Sequence, residues 1–190
     1  MLDAATARAQ ARRCRSRRVG ARCLVANMGE MMAADAKAGF RIVEDDLSGN
    51  EIQEILRLHA EGMLSNSPKD ACHFLDLSGL QDPSVTLWSA WEGDQLAGCG
   101  AVKELDTSHG EVKSMRTATG YLGRGVGRVV LEHIITAARQ RSYRRLSLET
   151  GTGDSFAAAV HLYESSGSQR CEPFGSYEDN DCSQFFMLSL

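Results

Sequence analysis

Glycines at 123, 125 and 127, with Gly120 just before, crowd the segment Tyr121-Leu-Gly-Arg-Gly-Val-Gly-Arg128, which lies between the strand-like run Glu111-Val-Lys-Ser-Met-Arg-Thr117 and a helical run over 126–141. Glycine lets a backbone come close to a ligand and adopt φ > 0. The first turn of a helix carries amides with no intrahelical partner, and the helix dipole adds positive character there. A glycine-rich turn that opens a helix is therefore suited to hold phosphate, and the chemistry it points to is binding of a phosphorylated cofactor. Spacing excludes two common versions. A nucleotide-triphosphate loop needs Gly, four residues, then Gly-Lys-Ser/Thr, whereas Gly120 and Gly125 are followed by Val126 and Gly127. A dinucleotide loop needs G-x-G-x-x-G, and after Gly123 and Gly125 the last position is Arg128. The pattern that remains is Gly125-x-Gly127 after a strand.

The elements around the loop read as follows. Val126, Val130, Leu131, Ile134, Ile135 and Ala138 form one apolar helix face. Arg145 to Thr150 alternates as a strand, Gly151-Thr-Gly-Asp154 turns, and Asp154 or Ser155 is expected to cap a helix through Ala157, Val160, Leu162 and Tyr163 that Gly167 stops. Ser183 to Leu190 reads as a last strand. Upstream, Phe40 to Glu44 reads as a strand, and Asp46 or Ser48 is expected to cap a helix from Glu51 to Met63. A short second helix is expected over Asp70 to Leu77. Val85 to Trp91 and Gln95 to Glu104 form a hairpin about Glu92-Gly-Asp94, and Thr107-Ser-His-Gly110 is expected to be the next turn. Trp88 and Trp91 are expected to pack on related faces. These patterns alone give a mixed α/β domain.

Leu162-Tyr163-Glu164 followed by Gly167 resembles the Leu-Tyr-Glu-x-x-Gly-Phe segment of the GNAT N-acetyltransferases, and the loop resembles their Gln/Arg-x-x-Gly-x-Gly/Ala pyrophosphate loop. Gly110-Glu-Val-Lys-Ser-Met-Arg-Thr117, Leu146-Ser-Leu-Glu-Thr-Gly151 and Cys171-Glu-Pro-Phe174 are similar to a bacterial branch of that family known as YsnE-like, over roughly Phe40 to Leu190. The resemblance implies the GNAT fold: an α/β (α+β) domain with a mixed, mostly antiparallel, splayed sheet flanked by helices, in the order β-α-α-β-β-β-α-β-α-β-β. It implies an acetyl-CoA-dependent acyltransferase that moves an acetyl group to an amine.

That reaction needs a base for the amine proton and donors for the charge developing on the thioester oxygen. The resemblance implies that Tyr163 is the acid beside the CoA sulfur and Glu111 the base, with Glu104, His109 and Glu149 as rivals. It implies that main-chain groups of Met115, Arg116 and Thr117 pair with the pantetheine arm. It implies that the amides of Gly123, Arg124, Gly125, Val126, Gly127 and Arg128 hold the pyrophosphate, with charge added by the Arg124 and Arg128 side chains. His73 falls on the substrate side. The chain departs from the family pattern at Leu122, where the loop has Gln or Arg, and at Phe156, where the last helix is preceded by Asn. It departs again at Ser168 for Phe and Ser142 for a helix-ending Gly. Binding at the loop should then rest on backbone amides and the helix terminus.

At 190 residues and 43% hydrophobic content, one core and a tail are expected. The six cysteines show no C-x-x-C or zinc spacing, so no metal is expected and a reduced, cytoplasmic setting fits. No run of about 20 apolar residues is present, so no membrane partner is expected. Residues 1–38 are expected to be a basic, flexible extension and 39–190 the acetyltransferase domain. Arg8, Arg12, Arg13, Arg15, Arg17, Arg18 and Arg22 face only Asp3 over residues 1–29. Three readings stay open there: an over-extended or disordered start, an organellar transit peptide, and a nucleic-acid arm, although no nucleic-acid partner is expected for the body. The expected partner is a small-molecule or amino-acid-like amine, with a homodimer left open. A catalytically weak CoA-binding sensor module and a protein or peptide acetyltransferase are the alternative functions.

Overall fold

The computed structural model describes residues 39–66 and 73–190. The readings made for residues 1–38, and the first part of the helix expected over Asp70 to Leu77, lie outside them. The described elements are β1 (Arg41–Glu44), α1 (Asn50–Asn66), α2 (Leu77–Leu80), β2 (Val85–Glu92), β3 (Gln95–Asp106), β4 (His109–Thr117), α3 (Val126–Gln140), β5 (Arg145–Gly151), α4 (Ala157–Ser165), β6 (Gln169–Arg170) and β7 (Ser183–Ser189). The order is the expected β-α-α-β-β-β-α-β-α-β-β. The strands form one seven-stranded sheet, β1-β2-β3-β4-β5-β7-β6, antiparallel except where β4 meets β5.

Helices cover both faces of this sheet. Every residue of the apolar face read along α3, from Val126 to Ala138, is buried, and it packs with Val102, Val112, Leu146, Leu148 and Phe186 into the larger core. On the other face, Ile52 and Ile55 of α1 and Leu80 of α2 pack with Leu47, Leu87, Cys99 and Ala101. The α3 helix comes close to β3 because Gly100 leaves room: a Cβ there would lie 2.7 Å from Val130 Cγ1 and 2.5 Å from Met115 Sδ. Among the described residues no helix is long and apolar enough to cross a membrane.

Five local expectations differ from the structure. Residues 73–76 are not helical, and α2 begins at Leu77 because Asp76 caps it, its carboxylate accepting from Gly79 N at 2.8 Å. His109 and Gly110 belong to β4, because Asp106 Oδ1 accepts from Ser108 N at 2.7 Å and closes the turn earlier. Neither Asp154 nor Ser155 caps α4; they form a 3-10 turn, and Ser155 Oγ donates instead to Asn66 Oδ1 at 2.8 Å. Trp88 is buried against His133 of α3, whereas Trp91 Nε1 donates to Ser89 Oγ on the other face, 2.9 Å away. Asp46 does not cap α1 directly; it accepts from Ser48 N at 2.9 Å and so turns the chain toward the helix.

Candidate active site

The site starts from an unpaired strand edge. β4 and β5 run parallel and pair only at His109–Arg145, Gly110–Leu146 and Glu111–Ser147. Beyond that point β4 stays with β3, while β5 pairs with β7 along its whole length. The two strands part, and β4 from Lys113 to Arg116 lines the gap. The β3–β4 register slips opposite Ser114, whose φ of 53° marks a bulge in β4 at the same place.

A cavity of about 190 Å³ fills this gap. Its walls are His59, Gly62 and Met63 of α1, Lys113 to Arg116 of β4, Glu149 and Thr150 of β5, and Phe156 and Tyr163 from the α4 side. Tyr163 is 6% exposed, and its phenol is pushed above the ordinary tyrosine value by burial first and the charge of Glu149 second. It therefore stays protonated at neutral pH. Phe156 fills the place of the family asparagine and lies on Gly151, where a Cβ would come within 2.4 Å of its ring.

In the loop after β4, Gly123 and Gly125 hold φ of 74° and 85°, and Gly125 precedes the first turn of α3. A side chain is strained in this region, which accounts for glycine at the pivot. The amide of Arg124 is already bonded to Tyr121 O at 3.2 Å, which removes one of the donors expected for the pyrophosphate. The Arg124 guanidinium lies over the Tyr121 ring at 4.7 Å and pairs with Glu92. Arg128 donates to Ser165 Oγ at 2.9 Å, tying the start of α3 to the end of α4. Leu122 is 65% exposed and offers no polar group to this loop.

Glu111 does not share Tyr163's cavity. It lines an adjoining one of about 200 Å³ with Phe74, Leu105, Phe174 and Tyr177, and the two cavities share His73, Phe74 and Lys113. Lys113 Nζ donates to Glu111 Oε1 at 3.1 Å, to Tyr177 Oη at 2.8 Å and to the main-chain oxygen of His73 at 2.7 Å. Tyr177 in turn donates to Glu111 Oε1. His73 stands exposed at the rim, edge-on to Tyr177 at 4.9 Å. His109 is buried on Ser147 Oγ at 2.8 Å, so that rival base is a packed strand residue.

The sequence patterns assign no role to His59, Lys113 or Tyr177. His59 is partly buried in the Tyr163 cavity, where desolvation first, then the charges of Arg116 and Lys113, push it down to about 4. Tyr177 approaches Glu111 across 66 residues of sequence, and no local pattern signals such a contact. Among the described residues no group of three or more His, Cys, Asp and Glu side chains is placed to hold a metal ion.

An open sheet that parts beside a glycine-rich helix start, with a buried tyrosine in the gap, defines an acyltransferase of the GNAT type. The family profile described as the acetyltransferase (GNAT) family matches residues 50–167, and the chain belongs to that family. It is 51% identical over 146 residues to YsnE of Bacillus subtilis (strain 168), an uncharacterised N-acetyltransferase, covering 77% of this chain and 97% of that protein. It is 49% identical over 151 residues to the uncharacterised N-acetyltransferase YedL of Escherichia coli (strain K12), covering 80% of this chain and 95% of that one. A Klebsiella pneumoniae protein assigned as an acyl-CoA N-acyltransferase has a TM-score of 0.69 and 25% identity, over 80% of this chain and 99% of its own. A GNAT acetyltransferase from Elizabethkingia anophelis, solved with acetyl-CoA bound, shares the fold with a TM-score of 0.57 and 16% identity, over 80% of this chain and 99% of its own.

Proposed function

We propose that residues 39–190 form an acetyl-CoA-dependent N-acetyltransferase that acetylates the amine of a small molecule or amino-acid-like substrate by direct attack in a ternary complex. The observation that carries this reading is the parting of β4 and β5 beyond Glu111 and Ser147, with Tyr163 buried beside the gap. The open main chain of Met115, Arg116 and Thr117 accepts the pantetheine arm as an added strand. The amides of Gly123, Gly125, Val126, Gly127 and Arg128 receive the pyrophosphate, with the helix dipole behind them. The amine nitrogen attacks the thioester carbon, the carbon–sulfur bond breaks, and the departing thiolate takes the Tyr163 proton. The ammonium proton passes to a carboxylate.

Two carboxylates compete for that proton. Glu111 is the one the family resemblance implies, reaching the amine past Lys113. Glu149 shares the cavity with Tyr163, and its charge already acts on that phenol; this juxtaposition favours Glu149. Among the described residues no cysteine lines the cavity, and burial pushes the Cys99 thiol up to about 12, which supports direct attack over an acyl-cysteine intermediate.

The test is release of CoA thiol from acetyl-CoA by the purified chain across a panel of amines. Turnover with intersecting initial-rate lines is expected. CoA binding without turnover on any amine would instead favour a sensor module, and turnover only on peptides would favour a protein acetyltransferase.

A further inference from the structure

We infer that the acceptor carries a carboxylate, bound by the guanidinium of Arg116 in the Tyr163 cavity, so that the preferred substrates are amino acids or closely related amino-carboxylates. This rests on the transferase reading above and narrows its substrate.

The main chain of Arg116 belongs to the open edge of β4, but its side chain crosses to α1. Its Nη1 lies 3.4 Å from where a Cβ on Gly62 would stand, and both residues line the cavity. Glycine weakens a helix interior, and Gly62 lies inside α1; its lack of a side chain leaves room for the guanidinium. Lys113, the other cation among the described residues of the cavity, is spent on Glu111, Tyr177 and the oxygen of His73. Arg116, half-buried, has no carboxylate within ion-pair distance among the described residues. His59 beside it is held neutral, by burial and then by the Arg116 and Lys113 charges, so this end of the cavity has positive character without a matching anion among the described residues.

A guanidinium presents a planar fork that matches a carboxylate with two parallel hydrogen bonds. A neutral amine makes no use of it, and neither does an uncharged pantetheine arm. Glu149 supplies the opposite charge in the same cavity. A zwitterion with its carboxylate toward Arg116 and its ammonium toward Glu149 satisfies both, and leaves its amine beside Tyr163.

The experiment compares acceptors that share one side chain: the free amino acid, its amide and the decarboxylated amine. The series is run for alanine, leucine, phenylalanine, histidine and glutamate, with acetyl-CoA and the purified full chain. The free amino acid is expected to exceed the other two in kcat/KM by about tenfold or more. Arg116→Gln should erase that preference through the acceptor's KM, and Arg116→Lys should restore part of it. An amide or decarboxylated amine that serves the unmodified protein equally well overturns the inference while leaving the transferase reading intact. So does an Arg116→Gln protein that loses affinity for acetyl-CoA and keeps the acceptor preference. Absence of turnover with every acceptor removes the transferase reading, and this inference with it. The comparison on the unmodified protein decides the matter even if a variant does not fold.

Discussion

Lys113 and Glu111 form a buried ion pair: Nζ lies 3.1 Å from Oε1, with the two side chains only 8% and 5% exposed. The pair sits on the wall between the two cavities, and it binds β4 to the segment at His73 and to Tyr177. Removing one member of a buried pair strands the other charge. Glu111→Gln is therefore expected to cost roughly 3–5 kcal/mol of stability, measured from the urea midpoint. Pairing it with Lys113→Met should recover most of that loss. A Glu111→Gln protein as stable as the parent would contradict a structural role for this ion pair.

The same geometry separates the two candidate bases. In proteins shown to be folded, Glu149→Gln should lower kcat by about 10²–10⁴-fold if Glu149 takes the ammonium proton. Glu111→Gln with Lys113→Met should then keep most of the turnover. Steady-state kinetics on both variants decide the assignment, and the reverse pattern would return the role to Glu111.

Stability should fall in acid partly through His59. Its folded value is about 4 against an ordinary 6.5. Between those pH values the unfolded chain binds a proton that the folded chain does not. Stability from this group is thus complete above pH 6.5, declines as pH drops, and levels off near 4, a loss on the order of 3 kcal/mol. His59→Gln should flatten that slope in urea melts between pH 7 and 4. A residual slope is expected from His109, which burial and then Arg145 push in the same direction. An unchanged slope would mean that His59 is not held neutral.

At the loop, Gly125 has φ 85° and Gly127 would place a Cβ 3.2 Å from Leu162 Cδ2. An aspartate at either position adds strain or crowding and also a negative charge where phosphate is to bind. Gly125→Asp and Gly127→Asp together should weaken CoA binding about a hundredfold or more, read by calorimetry. Leu122→Gln should change it little. Unaltered affinity in the glycine double variant would remove the phosphate-loop assignment.

Much of the scaffold was legible because it is periodic. The α3 face repeats at helical spacing, and the hairpin strands alternate about Glu92-Gly-Asp94, so their types and order follow from local pattern. The boundaries that differ turn on single side chains: Asp76 and Asp106 accept backbone amides and reset where α2 and β4 begin. In the same way, Ser155 bonds Asn66 instead of capping α4. The two tryptophans face apart because their three-residue spacing is odd on a strand of period two. The loop and Tyr163 carry recognisable patterns, whereas the Glu111–Lys113–Tyr177 set and the Arg116–Gly62 contact arise only when distant segments fold together.

The most direct measurement is acetyl transfer by Tyr163→Phe, with both substrates saturating, beside a calorimetric Kd for CoA. Loss of the phenolic proton donor should lower kcat by about 10²-fold or more while the Kd for CoA stays within about twofold. The phenol's raised value also means that the parent should show no alkaline fall from this group near the ordinary tyrosine value of 10.0. Transfer by Tyr163→Phe at the parent rate, with CoA bound equally well, would contradict the central claim that Tyr163 protonates the departing thiolate.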